Sequence, residues 1–86
     1  MSEIKQMYGI LEQMIEGAES KDLKKVMELN KSYETLVPRV YHKPPTTLDL
    51  EYENCRQSCV MAIQMPNMYE KFILDAKERL PRIPKP

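Results

Sequence analysis

The chain has 86 residues, with 13 lysines and arginines against 13 aspartates and glutamates, two cysteines, seven methionines and no tryptophan. That length holds one domain, near the lower limit at which an apolar core stabilises a chain unaided. Its 42% apolar and 30% charged residues exclude disorder by composition, and a formal charge of zero argues against a main task of neutralising phosphates.

Residues 3–18 read as a helix, because Ile4, Met7, Tyr8, Leu11, Met14, Ile15 and Ala18 recur at spacings of three and four. Ser2 caps it, Glu3 suits the helix dipole, and Gly17 marks the expected end, where a permissive backbone is useful. A second helix is expected from a Ser20 cap, with Asp22 in its first turn and an apolar stripe of Leu23, Val26, Met27, Tyr33, Leu36 and Val37. Asn30 interrupts that stripe. Pro38 cannot donate the helical hydrogen bond, so the helix should stop near Val37 or kink there. The short link favours an antiparallel hairpin. Charge fits this pairing: the first helix is acidic (Glu3, Glu12, Glu16 and Glu19 against Lys5), and the second is rich in lysine.

His42-Lys43-Pro44-Pro45-Thr46-Thr47 is a loop, and Thr46 with Asp49 has near capping-box spacing. A third helix is expected from about Leu48 to Gln64, with Leu48, Tyr52, Cys55, Cys59 and Ala62 on one stripe. Val60, Met61, Ile63 and Met65 add apolar surface off that stripe. Such a helix is either the most buried of its bundle or serves a second partner. Met65-Pro66-Asn67 breaks the pattern, and Asn67 followed by Glu70 predicts a fresh fourth helix carrying Tyr69, Phe72, Ile73, Ala76 and Leu80. One bent helix would keep the same phase. Three prolines in Pro81–Pro86 predict an exposed, polyproline-like tail, whose PxxP is the minimum of a polyproline ligand.

The fold expected is therefore all-α: a small antiparallel bundle of three to four helices over residues 1–80, with an extended proline-rich C-terminal tail over 81–86. Leu11-Glu12-Gln13-Met14-Ile15 followed by Asp22-Leu23-Lys24-Lys25-Val26-Met27-Glu28-Leu29 resembles the first helical hairpin of small flagellar export chaperones. The layout also resembles that of small helical phage proteins that block host machinery. Both likenesses consist of amphipathic spacing and carry no functional residue across.

No apolar run approaches the ~20 residues of a membrane-spanning helix. The start, Met1-Ser2-Glu3-Ile4-Lys5, lacks the pattern of a secretory signal. Two cysteines are too few for a disulfide-stapled scaffold, so a reducing, cytoplasmic setting without membrane attachment is expected.

Motifs for chemistry are sparse. Gly9 and Gly17 are the only glycines, so no phosphate-binding loop exists. His42 stands alone at a loop, Ser58 lies in no nucleophile motif, and catalysis is not expected. Cys55 and Cys59, one turn apart, read as two buried apolar side chains or as half of a metal or redox site. Lys21, Lys24, Lys25 and Lys31 read as a solvated face interleaved with Asp22, Glu28 and Glu34, which makes nucleic-acid binding the weaker interpretation. Met61, Met65 and Met68 gather where the third helix meets the fourth, and flexible thioethers suit surfaces that accept apolar partners. The expected function is a noncatalytic protein–protein interaction module (adaptor, chaperone or inhibitor) that binds a partner or itself. Its candidate surface is Val60, Met61, Met65, Met68 and Phe72, with no metal and no cofactor. The alternative is a metal- or redox-responsive protein using Cys55 and Cys59.

Overall fold

Side-chain caps set where three of the helices begin. Ser2 Oγ accepts from the Lys5 N–H at 3.5 Å, Asp22 Oδ1 from that of Lys25 at 3.1 Å, and Thr46 Oγ1 from that of Asp49 at 3.1 Å. The computed structural model describes residues 2–86. Among them are four α-helices, α1 (Glu3–Glu19), α2 (Leu23–Val40), α3 (Thr47–Gln64) and α4 (Tyr69–Arg79), and no strand. Short 3-10 turns at Pro66–Met68 and Leu80–Arg82 precede and follow α4.

The four helices form two antiparallel hairpins. Arg39 near the end of α2 meets Glu3 at the start of α1 at 3.0 Å, one cross-pair of the charge blocks. In the second hairpin Ser58 donates to Asp75, and Cys55 Sγ lies 3.7 Å from the Ala76 carbonyl. Packing α3 against α1, α2 and α4 joins the hairpins, while α4 also reaches α1 through Lys77 and Glu19 at 2.9 Å. The core lies between them and includes Met7, Leu11, Met14, Val26, Tyr33, Tyr52, Cys55 and Cys59, each almost fully buried.

Several boundaries differ from the sequence-based expectations for local reasons. Ser20 ends α1, its Oγ donating to the Glu16 carbonyl at 2.9 Å, and Asp22 takes the cap of α2. The left-handed residue of that turn is Lys21, at φ 57°. Helix α2 runs past Pro38 to Val40, where the Tyr41 N–H still reaches the Val37 carbonyl at 2.9 Å. Asn67 caps nothing, because α4 starts after a 3-10 turn and Met68 makes no side-chain cap. Leu23 and Leu48, assigned to apolar stripes, stand 53% and 42% exposed. Both occupy the first turns of their helices. The tail is also corrected: Leu80–Arg82 form a 3-10 turn and Ile83, just after it, is buried in the core at 2% exposure, so only residues 84–86 remain as an exposed extension. Pro81 is accommodated because the start of a helical turn needs no donor from its nitrogen.

Gly17 serves close approach rather than backbone freedom. A Cβ placed there would sit 3.0 Å from Val26 Cγ2, which is fully enclosed, so α1 and α2 cross where only hydrogen fits. At Gly9 nothing lies within 4 Å of an added Cβ. Gly9→Ala should therefore raise stability by about 0.5–1 kcal/mol through helix propensity. Gly17→Ala should lower it by about 1 kcal/mol, because overpacking outweighs the same propensity gain. Urea unfolding of both variants checks the opposite signs.

Candidate interaction surface

Between Arg56 and Glu70 the chain carries no charged residue. On α3 the inward positions Tyr52, Cys55, Cys59 and Ala62 are buried in the core. The outward positions Asn54, Gln57 and Met61 form an uncharged strip along one flank of α3, with half-buried Val60 packed against the core at its edge and Arg56 beside it. Depletion of charge on an accessible helix face is the compositional mark of an interface centre.

That flank borders a groove of about 560 Å³ between α3 and α4. Val60 and Met61 line it from α3, and Phe72 and Leu74 from α4. Leu74 is 57% exposed, the most accessible large apolar side chain described. Beneath the groove the two helices are tied by Asp75, which accepts from Ser58 and from Arg79 Nε at 2.7 Å. Burial pushes the Asp75 carboxyl up, but these bonds prevail and hold it below the ordinary range. Lys71 Nζ stands 6.0 Å from the centre of the Phe72 ring. Lys71 and Glu78 mark the two ends of the α4 wall, and neither has an ion-pair partner among the described residues.

The candidate surface residues divide. Val60, Met61 and Phe72 meet in the groove. Met68 lies instead in a separate depression with Lys21, Pro66 and Tyr69, and Met65 caps α3 at 37% exposure. Sequence reasoning missed Leu74. Its signal was a leucine out of phase with the α4 stripe, flanked on its own helical face by Lys71 and Glu78.

A second cluster explains the break in the α2 stripe. Buried Asn30 accepts from Arg56 Nη1 at 3.0 Å and donates to Glu34 Oε1 at 2.9 Å. Arg56 grips Glu53 through Nε, at 3.1 Å, and Nη2, and its guanidinium lies 5.7 Å from the Tyr33 ring centre. The Tyr33 hydroxyl is 2.6 Å from that of Tyr41, which donates to Glu53 Oε1 at 3.1 Å. Burial first, then the bond to Tyr41, pushes the Tyr33 hydroxyl far above its ordinary value. Burial also opposes ionisation of Glu53, but the Arg56 and Gln57 bonds keep its carboxyl low. These polar groups satisfy one another, as a structural network requires.

The remaining candidates for chemistry sit in packing roles. Both thiols are enclosed, and the bond from Cys55 together with burial pushes the Cys59 thiol up, away from the reactive thiolate. Among the described residues no group of three or more His, Cys, Asp or Glu side chains is placed to hold a metal ion. His42 is exposed at its ring, as expected for a loop histidine, but its Nδ1 lies 2.9 Å from Asp49. Lys24, Lys25 and Lys31 are exposed on α2 beside Glu28 and Glu34. No described helix is long and apolar enough to cross a membrane.

No protein-family model matches this chain, and neither a curated protein nor a solved structure does.

Proposed function

We propose that this chain is a noncatalytic interaction module, an adaptor, chaperone or inhibitor, that receives an apolar helical segment in the groove between α3 and α4. The observation that carries this reading is the uncharged flank of α3, with Met61, facing exposed Leu74 across that groove. Helix-in-groove recognition uses such a surface, drawing affinity from apolar burial at ~25 cal/mol per Å² and orientation from rim charges. The displaced carboxyls support a noncatalytic role, because Asp49, Glu53 and Asp75 are each engaged in holding helices or loops together. Nothing in the geometry favours the thiol-based alternative, since both sulfurs point into the core.

Met61→Glu places a carboxylate in the groove at a half-buried position whose loss the core tolerates. Affinity capture from the native host should recover a partner with the wild-type chain and lose it with Met61→Glu, with helicity by circular dichroism unchanged. Equal recovery by both chains would remove the groove as the binding surface.

A further inference from the structure

The wall of the groove formed by α4 is electrostatically self-complementary. Lys71, Leu74 and Glu78 follow one another at three and four residues, so they share one face, with the cation and the anion about 10 Å apart. Two turns is too far for a direct pair within one helix, and neither side chain has an ion-pair partner among the described residues. From this we infer that the groove's occupant is a second copy of this chain, packed α4 against α4, antiparallel, about a two-fold axis passing between Leu74 and Asp75. The inference rests on the groove being an interaction surface.

A two-fold contact applies the same patch twice. With the axis between Leu74 and Asp75, Lys71 of each copy lies opposite Glu78 of the other. The exposed Leu74 side chains meet at the centre, over the uncharged flank of α3. A slip that puts the axis on Leu74 itself sets Glu70 against Glu78 and takes Lys71 off its partner, so the neighbouring register is disfavoured. The patch thus specifies its own copy in one arrangement, which a surface of a single charge sign would not do.

Sedimentation across a concentration series up to roughly 1 mM, the range of weak interfaces, tests this. The wild-type chain should show a monomer–dimer equilibrium that weakens with salt. Lys71→Glu and Glu78→Lys, both at exposed positions that leave helicity unchanged, should each weaken self-association by roughly tenfold. An equimolar mixture of the two variants should associate again, because each then offers the charge the other lacks. Wild-type monomer throughout the series, or a dimer indifferent to both reversals, would overturn the inference. So would a mixture no tighter than its components. A chain that stays monomeric but loses a captured partner on Met61→Glu would overturn self-recognition alone and leave the groove reading in place.

Discussion

Arg56→Met should destabilise the fold by about 2–3 kcal/mol, one of the two largest losses expected from a single polar substitution in this chain. The Arg56 and Glu53 side chains are only 17% and 24% exposed, so removing the guanidinium leaves a largely desolvated carboxylate. It also leaves buried Asn30 with an unpaired acceptor and strips the cation from the Tyr33 ring. The total stability of a domain this size is about 4–13 kcal/mol, so the loss should lower Tm by roughly 10–20 °C. Removing both charges is a different perturbation. Glu53→Gln with Arg56→Met takes away the uncompensated charge along with its partner, and should recover at least half of the single-variant loss. Urea unfolding of wild type, both single variants and the double variant measures this coupling. Additive losses would show that the two side chains act independently, contrary to the bonds between them.

The parts of this fold that could be read from sequence are those set by local chemistry. The stripe Met7, Leu11, Met14 and Ala18 is buried along its length because one period and one cap specify α1. Thr46 and Asp49 form the capping box their spacing implies. What escaped depended on partners distant in the chain. Asn30 looked like a flaw in the α2 stripe because its partner, Arg56, belongs to α3. Gly17 looked like a helix terminator because the residue it accommodates, Val26, lies across the hairpin. Ile83 was assigned to a solvated tail because three nearby prolines described its backbone and not the core site that receives its side chain. The candidate surface divides by the same logic. Val60, Met61 and Phe72 converge only once α3 and α4 are paired, and Leu74 gains meaning only from lying outside the packed stripe. Periodicity identifies a buried face well, but it does not say which residues off that face share a groove.

Asp49→Ala should cost about 2–3 kcal/mol at neutral pH, and the cost should shrink as the solution is acidified. The Asp49 residue is 5% exposed, and its Oδ2 accepts from the backbone N–H groups of His42 at 2.8 Å and Thr46 at 3.0 Å. It thereby holds the loop that joins the end of α2 to the start of α3. Burial alone would raise this carboxyl, but the two backbone donors, then the His42 and Thr46 side chains, bring it down to about 2 from an ordinary value of 3.8. A carboxyl whose folded value lies below its unfolded value stabilises the fold fully above the unfolded value. The contribution then fades as pH falls through the folded one. The gap between wild type and Asp49→Ala should therefore be constant above about pH 5 and narrow steadily toward pH 2. Other lowered carboxyls, Glu53 and Asp75, weaken both proteins alike in acid, so the difference between the two curves isolates Asp49. Asp49→Asn keeps one acceptor oxygen without a titrating charge, and should lose about half as much with a gap that follows the same acid dependence. Because this loop fixes where α3 begins, Asp49→Ala should also loosen the outer flank of α3 that borders the groove. Hydrogen exchange would then speed up in the first turns of α3 before it does in α1. Unchanged exchange there, or an equal stability loss at pH 7 and pH 2, would show that the loop and not its carboxylate carries the connection.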